Sequence, residues 1–487
     1  MRVIRACRDL GMGAVAVYSE ADREALHVRM ADEAYPIGPA PARDSYLRGA
    51  ALIDVATRSG CDAVHPGYGF LSENADFAEG VARAGIAFVG PPAAVQRLLG
   101  EKTRARRLAK EAGVPVAEGA DALRDLDEAR AAATRVGYPV MLKAAGGGGG
   151  KGMRAVRRAE ELESAWRMAT GEATSSFGAP ALFLERLIEG ARHIEMQICA
   201  DQHGNVVWLG ERDCSLQRRH QKLIEESPGP SVDDALRARL GDAAVRIARA
   251  AGYRNAGTVE FLVAPGGDFF FLEVNTRLQV EHPVTELVTG IDLVVLQFKI
   301  AAGERLPFAQ ADVRARGAAI ELRITAEDPF ADFVPSSGRV ALARLPSGPG
   351  VRVDHALYDG IVIPTEYDAL LAKIVAHGAT RVEALERASR AVRETIIAGI
   401  PTSLAFHART LGEADFAAGR YDTGYIGAHW PPSEEPDLER SALIAGALGA
   451  VLAKRASARH ASTGGSAPAD AGAGGAWGRA AREDQLR

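Results

Sequence analysis

Residues 257–283 read GTVEFLVAPGGDFFFLEVNTRLQVEHP. Thr258–Val263 alternates and is rich in β-branched and aromatic residues, the composition of a strand. Pro265, Gly266 and Gly267 supply a turn, and Asp268–Val274 is the returning strand. A buried strand seldom carries acids. Yet Glu260 lies inside the first strand, and Glu273 and Asn275 close the second. An antiparallel pair sets such side chains side by side. Two carboxylates and an amide oxygen held together call for a cation, and hard oxygen donors with room for phosphates suit Mg²⁺. Arg277, Gln279, Glu281 and His282 follow at once: a guanidinium fork, an amide, an acid and an imidazole. A surface hairpin with solvated charges accounts for one such acid, not for the ordered set.

Working outward, Tyr138–Ala144 reads as a strand carrying Lys143, and Met153–Val156 as a second strand. Between them stand Gly146–Gly150, Lys151 and Gly152. Ordering so many glycines costs too much entropy for a packed element, and their free amides suit phosphates. Lys151 is followed by Gly rather than Ser or Thr, so this is no Walker A loop. A glycine loop between two strands is expected to be a mobile flap over a nucleotide. The segment 211–222, ERDCSLQRRHQK, reads from charge alone as a solvated loop.

The chain has 487 residues, 47% apolar and 25% charged, with net charge −5. That length implies several domains, and the charge gives no electrostatic case for nucleic acid or an anionic membrane. Its four cysteines are widely spaced, without metal-ligand pattern, and fit a reducing compartment. No apolar run is long enough to span a bilayer, and the start lacks a signal-peptide pattern. The expected location is cytoplasmic.

Together with HPGYGFLSEN at 65–74, KAAGGGGGKGM at 143–153 and ERDCSLQRRHQK at 211–222, the opening stretch resembles the biotin carboxylase family of ATP-grasp enzymes. The resemblance runs from Arg2 to about Trp430. It implies a mixed α/β and α+β multidomain fold. Residues 1–98 would form a doubly wound parallel sheet, the N-terminal pre-ATP-grasp domain. Residues 99–317 would be the ATP-grasp domain, with a mobile glycine-rich lid over about 117–188. Residues 318–430 would be a smaller C-terminal α+β domain capping the ATP site. Residues 431–487 would hold a Pro/Glu linker (Ser433–Asp437), one helix (Ser441–Lys454) and a disordered Gly/Ala/Ser-rich tail.

The resemblance also implies roles. ATP would be held by Lys102, Lys143, Gly149, Gly150, Glu185, Arg186, Leu187, Ile188, His193, His220, Glu260 and Glu273. Mg²⁺, for which Mn²⁺ can substitute, would sit on Glu260, Glu273 and Asn275. Bicarbonate would meet Lys222, Arg277, Gln279 and Val280, with Glu281 as general base. Biotin, held on a carrier protein or domain, would meet Tyr68 and Arg323, and Glu73 lies on that side. The expected reaction is carboxylation of biotin by ATP and bicarbonate through carboxyphosphate. That is the first half-reaction of an acetyl-CoA or other acyl-CoA carboxylase, with a carboxyltransferase as further partner and a homodimer as the common assembly. Two other readings are a non-catalytic remnant and a different ATP-grasp ligase with an acyl-phosphate intermediate.

Several features depart from the family pattern. The chain is expected to lack the strand that normally precedes the segment matching Arg2, leaving the first domain short by about one βα turn. Thr325 replaces a frequent asparagine, Ser337 a proline, and Arg186 a lysine. The Met-Lys-Met motif of a biotinyl domain does not occur. The chain would then be a free-standing subunit or the front piece of a longer one. Among the helices, Thr285–Ala302 reads as one long element and Arg381–Ile397 as another.

Overall fold

The computed structural model describes residues 1–144, 153–177 and 182–431. Gly149 and Gly150 with the rest of the glycine loop, the 433–437 linker, the 441–454 helix and the 461–477 tail lie outside the described residues.

An eight-stranded sheet carries the molecule. Its strands run in the order Phe269–Asn275, Asn255–Val263, Arg192–Ala200, Val206–Arg218, Gln221–Ser227, Ala318–Thr325, Leu370–Gly378 and Val351–His355. Every neighbour is antiparallel. The C-terminal strands therefore extend the ATP-grasp sheet directly, through pairs such as Ile224 with Leu322.

Sequence alternation explains what each face of this sheet does. In Arg192–Ala200, Ile194, Met196 and Ile198 join the apolar core with Leu236, Leu240 and Ile247 of helix Asp234–Ala250. That helix begins where Asp233 accepts the Leu236 amide at 2.7 Å. His193, Glu195 and Gln197 point to the other face, and they too are buried. A sheet with one oily face and one buried polar face must satisfy the second with partners, and the candidate site lies there. The opening glycine of the decisive stretch is steric in origin. A Cβ on Gly257 would meet the Tyr253 hydroxyl at 2.0 Å.

A smaller antiparallel sheet orders Gly119–Leu123, Leu182–Arg186, Val140–Ala144 and Arg154–Val156. Helices Leu126–Val136 and Leu162–Phe177 back it, through Ala129, Val136, Leu162 and Ala165.

Several elements differ from the sequence reading. The 211–222 segment is no solvated loop. Its first part is buried strand through Leu216, and the chain reverses at Arg219 and His220, whose φ values are 48° and 67°. Its buried charges are each paired with another element, Glu211 with Arg237, Arg212 with Glu195 and Asp213 with Arg192. The helix expected over 285–302 is two, His282–Thr289 and Leu293–Ala301. Gly290 at φ 72° stops the first, and Asp292 caps the second by accepting the Val295 amide at 2.8 Å. The helix from Arg381 ends at Glu394, and Ile396–Ala398 pairs instead with Leu342–Arg344. Residues 350–363 hold two strands, Val351–His355 and Val362–Ile363.

The N-terminal region is parallel, as expected, but in two separate pairs. Val15–Ser19 pairs with Glu33–Gly38, and Ala63–Val64 with Ala87–Phe88. Among the described residues no strand bridges them. No helix of the described residues is long and apolar enough to cross a membrane.

Candidate functional site

The hairpin pairs Glu260 with Glu273 and Thr258 with Asn275. On its other side Glu260 lies opposite Glu195, and Leu262 opposite His193. Two buried acids directly opposed repel unless a cation lies between them. Lys222 is that cation. Its Nζ donates to Glu195 Oε2 at 2.5 Å, Glu260 Oε1 at 2.9 Å and Glu281 Oε1 at 2.7 Å. The strand after the 219–220 turn delivers Lys222, so the turn geometry sets the centre of the site.

Arg212 supports this centre from within and is fully buried. Its guanidinium binds Glu195 and donates to Gln197 Oε1 at 2.7 Å, Thr285 Oγ1 at 2.9 Å and Thr258 Oγ1 at 3.0 Å. Glu281 closes the ring. Its second oxygen accepts from Arg323 Nη2 at 2.9 Å. Burial works against the Glu281 charge, but Lys222, Arg323 and Arg212 outweigh it and hold the acid well below the ordinary carboxylate range. Burial likewise opposes Glu260, and Lys222 with His193 outweighs it. His193 Nε2 lies 2.9 Å from Glu260 Oε2. Burial disfavours the imidazolium, yet Glu260 raises the His193 pKa overall.

Arg277 presents a planar fork beside this ring. Its Nη2 donates to Asn275 Oδ1 at 3.1 Å, its Nη1 to Gln279 Oε1 at 3.0 Å, and its Nε to Glu73 Oε2 at 3.0 Å. Glu73 also accepts the Thr276 amide at 2.8 Å, tying the 65–74 loop to the end of the hairpin. Val280 offers its carbonyl to Lys373. Tyr68 lies under that same lysine, whose Nζ is 5.9 Å from the ring centre.

The remaining cations flank the acids. Lys102, at the start of helix Lys102–Glu111, lies 3.1 Å from Glu273. Lys143 binds Glu185, which Arg106 also holds at 2.8 Å. The His220 pKa is lowered, by burial first and then by the charges of Lys143, His193 and Lys102. Arg186 turns its side chain away, onto the Val136 carbonyl at 2.5 Å. The Arg186 and Leu187 amides bond to Glu118 and Pro139 carbonyls, and Ile188 is half-buried beside them.

Glu260, Glu273 and Asn275 carry oxygen donors of the kind a hard divalent cation takes. Here Asn275 Nδ2 donates to Glu260 Oε1 at 2.8 Å and its Oδ1 accepts from Arg277, while Lys222, His193 and Lys102 lie on the carboxylates. A bound cation would therefore take the place of these side-chain contacts. Sequence reasoning missed Glu195, Arg212, Lys373, Glu225 and Glu321. Glu195 and Glu321 carried a visible signal, polar residues at period two within otherwise apolar strands, whereas Arg212, Glu225 and Lys373 showed no such period.

Comparison with known proteins then decides the family. Residues 1–95 match the biotin carboxylase N-terminal domain, 321–428 match the biotin carboxylase C-terminal domain, and 101–309 match the carbamoyl-phosphate synthase L chain ATP binding domain. The chain belongs to the biotin carboxylase family. It is an ATP-dependent ligase with the three-part architecture of that family. Biotin carboxylase 1 of Bacillus subtilis is 49% identical over 428 residues, which is 88% of this chain and 95% of that one. One of the pyruvate carboxylase subunits of Methanothermobacter thermautotrophicus is 50% identical over 428 residues, 88% of this chain and 87% of that one. The biotin carboxylase domain dimer of Hydrogenobacter thermophilus 2-oxoglutarate carboxylase, solved with MgADP, ADP and bicarbonate, superposes with TM-score 0.86 at 44% identity. It covers 88% of this chain and 94% of that one. The flanking segments, as well as the central one, thus match domains of biotin carboxylases or of a related ATP-binding family.

Proposed function

We propose that this chain carboxylates biotin on a carrier protein or domain, using ATP and bicarbonate through carboxyphosphate, with the following division of labour. The observation that carries it is Glu281, one carboxylate held between Lys222 on one oxygen and Arg323 on the other, beside the Arg277 fork.

Glu260, Glu273 and Asn275 would hold Mg²⁺, which when bound supplies charge neutralisation for the ATP phosphates. Lys102 and Lys143 add point charges on phosphate oxygens, with His193 and His220 completing the nucleotide site. Glu185, Arg186, Leu187 and Ile188 line the adenine side, and the amides of Gly149 and Gly150 would serve the ATP phosphates. Bicarbonate lies against Arg277 in a bidentate, charge-assisted pair, with Lys222, Gln279 and the Val280 backbone around it. Its O–H proton passes to Glu281, and the freed oxygen attacks the γ-phosphorus as ADP leaves.

Glu281 is a weak base while both cations grip it. Lys222 and Arg323 hold different oxygens, so bicarbonate that draws Lys222 to itself releases Oε1 and raises its basicity. Carboxyphosphate breaks into CO₂ and phosphate. The phosphate takes the ureido N–H proton, and that nitrogen attacks CO₂. Arg323 stabilises the enolate-like ureido oxygen as an oxyanion donor, and Tyr68 lines the biotin side.

The partners are a biotin carrier and a carboxyltransferase, which chooses the final acceptor. The relatives serve pyruvate and 2-oxoglutarate carboxylases alike. A homodimer accords with the Hydrogenobacter domain, and four free thiols accord with the cytoplasm. The test is transfer of labelled bicarbonate to free biotin. Label in an acid-labile biotin product that requires ATP and Mg²⁺ is the expected result. ATP turnover with no labelled biotin would overturn the reading.

A further inference from the structure

Two buried acids have no part in the steps above. Glu225 and Glu321 face each other in register on the neighbouring strands Gln221–Ser227 and Ala318–Thr325. Both are fully buried. Opposed residues of an antiparallel pair share one face, with Cβ atoms about 4.5–5.5 Å apart. Glu321 and Arg323 also share a face, being two residues apart on one strand. Glu225 Oε1 accepts from Arg323 Nε at 2.5 Å, while Arg323 Nη2 reaches Glu281. Glu225 Oε2 and both oxygens of Glu321 have no hydrogen-bond partner. Lys373 Nζ stands 4.0 Å from Glu321 Oε1 and gives its hydrogen bond to Val280 instead.

A guanidinium bonded to Glu225 and an ammonium 4.0 Å from Glu321 that is spent on the Val280 carbonyl do not offset two opposed negative charges in a dry sheet. A buried carboxylate without a close partner takes up a proton. We propose that Glu225 is the positioning residue for Arg323, and that Glu321 stands opposite it as a protonated carboxyl, so that the pair carries one negative charge.

The other groups around the pair agree with this assignment. Arg323, Lys222 and Lys373 are the cations facing it, Glu281, Cys214 and Tyr68 are titratable neighbours, and Asp354 on the next strand shares Lys373 at 3.9 Å. His282 and Glu286 stand on the helix packed against these strands. Burial lifts Glu321 well above the ordinary carboxylate value, and lifts Glu225 to about 7 against the pull of Arg323. Arg323 is thus fixed from two sides, by Glu281 and Glu225. A charged Glu321 would compete for it. Glu321 itself touches no substrate group.

This inference rests on the reading that Arg323 serves the biotin step. The experiment separates the two by pairing kinetics with a direct view of protonation. Glu225→Gln and Glu321→Gln would be made in the full chain. Isotope-edited difference infrared spectroscopy would look for the stretch of a protonated glutamic acid. At pH 8.5, above the value to which Glu225 is lifted, the band of Glu321 is expected in the parent and in Glu225→Gln and is expected to be lost in the difference spectrum of Glu321→Gln against the parent, whatever the catalytic reading.

In kinetics, Glu321→Gln mimics the protonated acid, so biotin-stimulated kcat stays within about twofold. Glu225→Gln loses about tenfold or more of it, the loss of one charge-assisted hydrogen bond, with the KM for ATP within about twofold. Stability gives a further readout. A glutamate raised in the fold binds more protons there than in the unfolded chain, so its penalty grows as pH rises above ~4.3. Glu321→Gln should therefore resist urea at pH 8 at least as well as the parent. A band that persists in Glu321→Gln, a Glu321→Gln that unfolds, or equal loss of kcat in both variants would overturn the proposal. If the parent shows no biotin-stimulated turnover, the catalytic reading fails while the infrared band still decides the charge assignment.

Discussion

Lys222→Met removes the one cation that touches Glu195, Glu260 and Glu281 together. Methionine keeps the length and apolar stem but no charge. Glu195 keeps Arg212, Glu281 keeps Arg323, and Glu260 keeps His193. Three buried acids then share less positive charge than they need. Breaking a buried ion pair by deleting one partner costs ~3–5 kcal/mol, and here the deleted partner serves three acids. The expected loss at pH 8 is therefore at least ~3 kcal/mol.

The sign with pH follows from the shifts. In the parent, Glu260 and Glu281 are held well below their ordinary values. The stability they lend is present above the unfolded value of ~4.3 and is lost as pH falls through the folded values. Without Lys222 these acids rise, so the variant gains protons and recovers stability as the pH drops. The gap between the two proteins is full at pH 8 and narrows toward pH 5. Urea unfolding followed by tryptophan fluorescence at both pH values measures it. A gap below ~1 kcal/mol at pH 8, or one as large at pH 5, would refute the bridging role.

Other outcomes follow from the same geometry. Arg323→Lys should lower biotin-stimulated kcat by ~10²-fold or more, the scale of losing an oxyanion donor, while the KM for ATP stays within about twofold in steady-state assays. Glu73→Ala frees Arg277 Nε but leaves Asn275 and Gln279 holding the fork. Because Glu73 is part-exposed, the KM for bicarbonate should rise only about threefold to tenfold. Chelation by EDTA should abolish ATP turnover, and added Mg²⁺ or Mn²⁺ should restore it, as the oxygen donors of Glu260, Glu273 and Asn275 require.

The site was legible in the sequence wherever a charged residue broke a strand pattern close to a turn. Glu260, Glu273, Asn275 and Arg277 fall in one hairpin, so local spacing alone brings them together. Lys222 and Arg323 came from family resemblance, since nothing local shows that a strand from 221 lies beside one from 318. Glu195, Arg212, Glu225 and Glu321 were not legible for the same reason. Whether a charge inside a strand is buried depends on partners from other strands, and Arg212 takes its partners from elements starting at 192, 255 and 282. Charge alone made 211–222 look solvated, when Glu211, Arg212 and Asp213 are neutralised indoors by Arg237, Glu195 and Arg192. The break at Gly290 was not read, although a glycine followed two residues later by a capping aspartate separates the two helices. The long apolar periodicity on either side concealed it.

The most direct measurement is ATP hydrolysis with Mg²⁺ and bicarbonate, with and without free biotin, on this chain and on Glu281→Gln. Turnover that needs bicarbonate, rises with biotin and is lost in the variant is the expected result. Glu281→Gln that keeps bicarbonate-dependent turnover, or a parent chain whose ATP hydrolysis ignores both bicarbonate and biotin, would contradict it.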